Sequence, residues 1–162
     1  MKKLFALLLC CLLLTGCAFI PKEQPEQPGK PAEPTETPTT ASVTFFLYTP
    51  NENVDGFDKR EVTLGTLDAQ AILELLIAED VLNESVALNS AELQDKQLFL
   101  DFNIAFVDQL VTYGTSGELM MIGSVVNTYL DAYGAETIMI TANGEIMESG
   151  HVIYDFPLEF YH

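Results

Sequence analysis

Six of the eight prolines fall between residues 21 and 40, and this segment limits where a folded core can form. The segment reads PKEQPEQPGKPAEPTETPTT, and Ala32 is its one aliphatic residue. A stretch with so little apolar surface cannot bury a core, and its prolines favour an extended chain. Pro-rich segments can also be ligands for aromatic grooves. We interpret residues 17–41 as a spacer and expect one folded domain over residues 42–162.

The residues before the spacer have the features of an export signal. Lys2 and Lys3 precede an apolar run, Leu4–Leu14, whose length is well below the ~20 residues that a membrane-spanning helix needs. The run ends in Leu14-Thr15-Gly16-Cys17, which is similar to a bacterial lipobox. The sequence therefore predicts a lipoprotein signal peptide over residues 1–16 and lipidation of the Cys17 thiol. The alternatives are a plain secretory signal or a buried helix.

Lipidation would also account for the cysteines. Of three Cys residues, Cys10 and Cys11 lie in the removed segment, so the mature chain would have no free thiol and no disulfide. Acyl chains on Cys17 would hold the protein on a membrane, and about 20 extended residues at ~3.1 Å each would reach about 60 Å from it. Ala18 after the cysteine would permit an outer-membrane location in a Gram-negative cell.

The predicted domain is strongly acidic. The chain has 24 acidic and seven basic residues and a net charge of −17, and residues 41–162 contain only Lys59, Arg60 and Lys96 as basic groups. Such a surface repels phosphate backbones, so the sequence predicts no nucleic-acid partner.

The hydrophobic pattern of the domain predicts strands and two helices. Apolar residues recur at helical spacing from Asp68 to about Asp80, with Asp68 or Thr66 as the cap, and again up to Tyr133. The second helix has Thr115 and Glu118 at capping-box spacing. Its predicted apolar stripe is Leu119, Ile122, Val126, Tyr129, Leu130 and Tyr133, and Gly134 would end it.

Alternating and β-branched segments predict the strands. They cover Val43–Tyr48, Arg60–Leu64, Gln97–Asn103, Thr137–Thr141, Glu145–Met147 and His151–Asp155. Asn143-Gly144 is a strong signal for a hairpin turn. The order predicts an α+β fold: a mixed or antiparallel sheet with two helices packed on one face.

Enzyme motifs are lacking. The sequence has no G-x-S-x-G, H-E-x-x-H, Walker A or G-x-G-x-x-G pattern. Ser124, His151 and Asp155 could form a triad on paper, as could residues in any chain of this size; His151 is expected as a half-buried residue near a loop. Asp101 is the first candidate for a glycosidase-like carboxylate pair because it interrupts an otherwise apolar strand, although a position on the outer face of a sheet is the simpler interpretation. We predict no catalytic residue, no cofactor and no enzyme.

One segment resembles part of a calcium-binding loop. Asn51, Asn53 and Asp55 occupy loop positions 1, 3 and 5, and Gly56 occupies position 6. Position 12 is Val62 rather than Glu, and no helix precedes the segment. A polar turn between strands is the expected structure of Asn51–Gly56, and we predict no metal site.

Five segments in order resemble the GerMN domain of sporulation and germination lipoproteins from Gram-positive bacteria. They are Phe46–Asn51, Ala71–Leu76, Leu98–Asn103 with Phe106, Ser124–Leu130 and Ile138–Gly144. The resemblance covers residues 43–160. It departs from the family in the loop Val81–Lys96, which lacks Pro and Gly, and in having one domain where some members carry two in tandem.

The resemblance implies an α+β fold similar to ring-building motifs, a place at the outer face of the cell membrane, and no catalytic or ligand residues. Asn127, Thr128 and Asp101 are candidates for a polar network, with capping or orienting of the second helix as the alternative. The expected function is a membrane-anchored lipoprotein that binds an envelope protein or itself. The alternatives are a peptidoglycan-binding or wall-hydrolysing lipoprotein, and a binder of a small ligand or cation.

Overall fold

The computed structural model describes residues 42–162, and these residues form an α+β fold. The elements are β1 (Val43–Pro50), β2 (Phe57–Leu64), α1 (Ala69–Ala78), β3 (Leu88–Gln94), β4 (Gln97–Phe102), α2 (Ile104–Leu110), α3 (Thr115–Tyr133), β5 (Thr137–Ala142) and β6 (Glu145–Ile146). The fold class predicted from the sequence is confirmed. The structure adds two elements, β3 and α2, and divides the strands between two sheets.

The first sheet is the antiparallel hairpin β1-β2, and the second has the order β3-β4-β5-β6. In the second sheet β4 and β5 are parallel, while the outer pairs are antiparallel. On the edge of β5 away from β4, β6 pairs only with Thr141 and Ala142. Further along that edge, Leu158 exchanges two backbone hydrogen bonds with Ile138 at 2.9 and 2.7 Å. The sheet is therefore mixed. The residues after β6, 147–162, which we call the C-terminal segment, cover part of one of its edges.

Burial alternates along β4 and β5, so the second sheet has a buried face and an open face. Leu98, Leu100 and Phe102 are buried, and Phe102 stacks on Phe106 of α2 with ring centroids 4.5 Å apart. Phe99 and Asp101 lie between them on the open face. A sheet covered on one face only is expected to show this period of two.

Helix α3 is the centre of the domain and packs against both sheets and α1. It is buried on all sides from Met120 to Leu130, which is more than the predicted single stripe. Leu119 is a correction to that stripe, because its side chain is exposed. A single apolar stripe did not describe this helix, because the hairpin, the second sheet and the C-terminal segment bury residues on three of its sides.

Three of the predicted turns and caps are confirmed. Asp68 caps α1 by accepting the Gln70 N–H, and Gly134 ends α3 with a φ of 58°. Asn143 and Gly144 have φ angles of 51° and 79°, as a two-residue hairpin turn requires. The capping box is wrong: Gly114 is the N-cap of α3, and the Glu118 side chain is used elsewhere.

Candidate functional site

The structure brings a buried carboxylate, a serine, a histidine and a tyrosine together where α3 begins. Glu118 lies in the first turns of α3, and the other three residues lie on a tight loop of the C-terminal segment. That loop is held by Ser149 N–H to the Val152 carbonyl and Tyr154 N–H to the Met147 carbonyl, both at 2.9 Å. The Ser149 hydroxyl oxygen also accepts from the N–H groups of His151 and Val152.

Both oxygens of Glu118 have hydrogen-bond partners. Oε1 accepts from the hydroxyls of Ser149 and Tyr154, each at 2.6 Å, and Oε2 lies 3.0 Å from Nδ1 of His151. The Glu118 side chain is 4% exposed and that of His151 is 45% exposed. Since an ionised carboxylate only accepts, Nδ1 of His151 carries the proton in this contact. We call Glu118, Ser149, His151 and Tyr154 the Glu118 cluster.

The environment favours the charged form of Glu118. Burial alone would raise the pKa of Glu118, but the hydrogen bonds from Ser149, Tyr154 and His151, together with the charge of His151, lower it below its ordinary value. Burial and the adjacent carboxylate raise the pKa of Tyr154, so its hydroxyl remains protonated and donates.

The arrangement differs from a nucleophilic triad. In a triad the serine proton goes to the histidine, which a carboxylate orients from its other nitrogen. Here the Ser149 proton goes directly to Glu118, so the hydroxyl is a structural donor. Ser124, the serine considered from the sequence, is fully buried and has no hydrogen-bond partner within residues 42–162, and His151 pairs with Glu118 rather than Asp155. The structure thus does not assemble the paper triad.

Two cavities lie on either side of the first turns of α3. One has a volume of about 190 Å³ and is lined by Glu118, Leu119, His151, Val152, Tyr154, Phe156, Tyr161 and Thr115. The other, of about 200 Å³, is lined by Pro50, Val54, Asp80, Val81, Tyr113, Gly117, Met120 and Met121. Both are smaller than the roughly 300–1,000 Å³ typical of small-molecule sites.

Asn127 and Thr128 join α3 to the backbone of the C-terminal segment and of β1. Thr128 accepts the Tyr48 N–H at 3.0 Å, and Asp131, one turn further, accepts the Phe46 N–H at 2.6 Å. Asn127 bonds to both backbone polar groups of Tyr161. These contacts orient α3 against β1 and the C-terminal segment, which is the alternative considered from the sequence.

Asp101 belongs to a separate group on the open face of the second sheet. Its Oδ1 accepts from Thr141 Oγ1 and from Gly144 N–H, both at 2.7 Å, and its Oδ2 accepts from Asn89 at 2.9 Å. Burial raises its pKa, but these three hydrogen bonds outweigh that effect and the pKa lies below the ordinary value. Asp101 holds the β5-β6 turn, so the single network with Asn127 and Thr128 is not formed.

The segment that resembles a calcium loop is the turn between β1 and β2. Asn51 Oδ1 accepts the Asp55 N–H at 3.1 Å, and Asn51 Nδ2 donates to Asp55 Oδ1 at 2.9 Å. Val62, at loop position 12, pairs with Phe45 within the hairpin. Among residues 42–162, no group of three or more His, Cys, Asp or Glu side chains is arranged to hold a metal.

Sequence reasoning missed the Glu118 cluster. Glu118 had the spacing of a capping box, and that interpretation hid its pairing with a loop 31 residues later. The one available signal was the acid itself, since it stands in a helix segment that is otherwise apolar. Cys17, the predicted lipidation site, lies outside the described residues. Over residues 42–162, no helix is long and apolar enough to cross a membrane.

The fold and the Glu118 cluster define a class of small acidic α+β domain in which one buried helix joins a hairpin, a mixed sheet and a C-terminal loop. The Germane family model, described as "Sporulation and spore germination", matches residues 44–148, more than half of the chain. The protein therefore belongs to the Germane family, and the resemblance to GerMN domains is confirmed.

One solved structure supports the same fold. The chain is similar to the tandem GerMN domains of the sporulation protein GerM from Bacillus subtilis, at 17% identity and a TM-score of 0.51. That match covers 80% of this chain and 49% of the other, so this protein spans about half the length of the GerM chain. A protein from Clostridium perfringens, described as a candidate lipoprotein, matches at 14% identity and a TM-score of 0.44. That match covers 73% of this chain and 87% of the other. No curated protein matches the sequence.

Proposed function

We propose that this protein is a cell-envelope lipoprotein whose Germane domain binds another envelope protein, or a second copy of itself, without catalysing a reaction. The Glu118 cluster carries this proposal. It combines the residue types of a hydrolytic site, yet both Glu118 oxygens and the Ser149 proton are already used in internal hydrogen bonds. A cluster satisfied in this way fixes the C-terminal loop on α3 and provides a rigid surface.

The cellular setting of the proposal comes from the family and the N-terminal sequence. Membership of the Germane family supports a role in sporulation or germination. The lipobox supports lipidation of Cys17 and anchoring at the outer face of the cell membrane, with residues 17–41 as the spacer. The domain would then work at a distance from the bilayer that the spacer sets.

Lipid anchoring is tested by replacing Cys17, with a replacement of Cys11 as the control. The full chain should incorporate radioactive palmitate and fractionate with membranes. Cys17→Ala should abolish palmitate labelling, and Cys11→Ala, which removes a cysteine from the signal segment, should not change it. Palmitate labelling of Cys17→Ala would contradict lipid anchoring through Cys17.

The binding function is tested by chemical crosslinking of the full chain in its own cells. A protein that works by binding should be recovered in a discrete crosslinked species containing a second envelope protein or a second copy of the chain. Recovery of the monomer alone, at crosslinker concentrations that trap known envelope complexes in the same cells, would count against the proposal.

A further inference from the structure

The surface at the beginning of α3 has two apolar cavities, one on each side of the helix. Gly117, Met120 and Met121 line one, and Glu118 and Leu119 line the other. Exposed apolar side chains stand at both: Val54 and Tyr113 at the first, Leu119 and Phe156 at the second. We define Val54, Tyr113, Leu119 and Phe156, with the two cavities, as the α3-end surface.

The apolar side chains of the α3-end surface have large solvent-exposed fractions. Leu119 is 46% exposed and Phe156 is 47% exposed, although Leu119 lies on a helix whose following residues are buried. Single exposed apolar residues are ordinary, but a group of them beside cavities is typical of a surface that is covered by a partner. The Glu118 cluster holds the C-terminal side of this surface in place.

The size of the cavities indicates what they can accept. Volumes of about 190 and 200 Å³ are below the roughly 300–1,000 Å³ of small-molecule sites. They suit single apolar side chains of a protein partner, of the kind that anchor interfaces in fully desolvated pockets. A pair of such cavities on either side of one helix would fix both the position and the direction of a bound segment.

The charges around the surface indicate the chemistry of that segment. Asp80 lines one cavity, and Glu118 lines the other together with its partner His151. Among the described residues, no Lys or Arg lines either cavity. The C-terminal loop adds exposed Glu148 and Asp155. A partner with positive charges would therefore be favoured here and an acidic one disfavoured.

The three Lys and Arg residues of the described domain line neither cavity. Lys96 donates to the Gly134 carbonyl at the other end of α3, about 28 Å away for a helix of this length. Arg60 pairs with Glu79, the residue before Asp80. Lys59 lies 4.8 Å from the ring centroid of Phe46, beside a cavity that shares Tyr161 with the Glu118 cavity. Within residues 42–162, Asp80, Glu148 and Asp155 therefore form no ion pair with Lys or Arg.

We propose that the α3-end surface docks a cationic amphipathic segment of an envelope protein, with one apolar side chain in each cavity and Lys or Arg residues next to Asp80, Glu148 and Asp155. This inference rests on the proposed binding function and names the partner's chemistry. The interface would be strongest at low ionic strength because the paired charges lie at its exposed rim.

The test places a photoreactive phenylalanine in the full-length chain in its own cells, at one position at a time. Leu119 and Phe156 are the probe positions. Phe99 and Ile146, which are 36% and 57% exposed on the second sheet, are controls of similar exposure. Crosslinks are expected at both probe positions and not at the controls. The partner peptide attached should carry Lys or Arg within one helical turn of an apolar residue.

A matched pair of variants measures the contribution of the surface. Leu119→Ser combined with Phe156→Ser should lower the yield of the crosslinked complex at least about tenfold, as expected for anchor residues. Phe99→Ser combined with Ile146→Ser should leave the yield unchanged. The thermal midpoints of both variants establish that each still folds.

The possible results separate the surface from the proposed function. Crosslinks at Phe99 or Ile146 alone would agree with the proposed binding function but would contradict docking at the α3-end surface. Crosslinks at Leu119 to a second copy of the chain, or to a segment without basic residues, would overturn the cationic partner. No crosslink at any of the four positions would overturn the surface, and the unbiased crosslinking described above would then decide the function by itself.

Discussion

The side chain of Asn127 bonds to both backbone polar groups of Tyr161. Its Nδ2 donates to the Tyr161 carbonyl oxygen at 2.9 Å, and its Oδ1 accepts from the Tyr161 N–H at 2.8 Å. Asn127 is fully buried in the middle of α3, so the C-terminal segment is attached through the centre of the domain. The same segment supplies Tyr154 and Phe156 to the α3-end surface, which therefore depends on this attachment.

Replacement of Asn127 by Ala should destabilise the domain by about 1–3 kcal/mol, because the backbone N–H and carbonyl groups of Tyr161 both lose their partner. Urea unfolding of the purified protein measures this loss. Ser124→Ala is the matched control on the same helix. Its hydroxyl is buried without a partner among the described residues, so its removal should be neutral or stabilising. Equal losses in the two variants would contradict a specific role for Asn127.

The absence of a side chain at Gly123 lets the ring of Phe57 pack against α3. A Cβ atom at this position would overlap the ring of Phe57, and three ring carbons lie close to it. Gly123→Ala should therefore cost about 1–3 kcal/mol through overpacking, although alanine favours a helix by about 1 kcal/mol over glycine. The same change at Gly65, where a Cβ meets nothing within 4 Å, should have little effect.

A double-mutant cycle tests the cause of that loss. Phe57→Leu removes the end of the ring, so Gly123→Ala should be less destabilising in the Phe57→Leu background than in the native chain. Denaturant midpoints of the four proteins provide the coupling. If the cost of Gly123→Ala were the same in both backgrounds, contact with Phe57 would not be its source.

The lowered pKa of Glu118 makes the stability of the domain depend on pH. A carboxyl whose pKa is lower in the folded state stabilises the fold above its unfolded pKa, and this contribution is lost as pH falls through the folded value. We expect stability to decline as the pH falls below about 4.5, the ordinary pKa of a glutamate side chain. Asp101, also with a lowered pKa, contributes in the same direction.

Glu118→Gln should reduce this acid dependence and cost about 1–3 kcal/mol at neutral pH, because it replaces charge-assisted hydrogen bonds by neutral ones. Thermal midpoints from pH 3 to pH 7 measure both effects. Glu148→Gln, at an exposed position on the same loop, is the control and should follow the native profile. An unchanged pH profile in Glu118→Gln would mean that this carboxyl is not the titrating group.

Asp101 should stabilise the β5-β6 turn locally. Asp101→Ala removes the acceptor of the Gly144 N–H, so this amide should exchange with solvent faster by about tenfold or more. Hydrogen exchange followed by NMR measures the amide directly. Asp108→Ala, at an exposed position on α2, should not alter it. Unchanged protection of Gly144 in Asp101→Ala would contradict the assigned role.

Local signals in the sequence were sufficient for most of the fold. Asp68, Gly134 and Asn143-Gly144 determine their own backbone conformations, and their caps and turn appear as predicted. Strand β3 was missed because it is an exposed edge strand with little alternation. Its turn to β4 uses Asp95 with a φ of 55° and Lys96, a pair that carries a weaker turn signal than Asn-Gly. Helix α2 has seven residues, too few for a clear periodicity.

The candidate site was harder to predict because it is made of contacts between distant parts of the chain. Glu118 and Tyr154 are 36 residues apart, and nothing in either local sequence indicates that they meet. Asn127 and Thr128 stood out as polar residues in an apolar helix, but their partners are backbone groups of Tyr161 and Tyr48. A sequence pattern shows that such residues need partners and does not show which backbone groups provide them.

Sedimentation with purified cell-wall sacculi tests the central claim, that the domain binds protein rather than acting on or binding the wall. The full-length protein in detergent is mixed with sacculi, the pellet is measured against protein concentration, and the supernatant is assayed for released wall fragments. We predict that the protein stays in the supernatant and releases nothing. Saturable pelleting would identify the wall as its partner, and released fragments would show that it is a hydrolase; either result would contradict the proposed function.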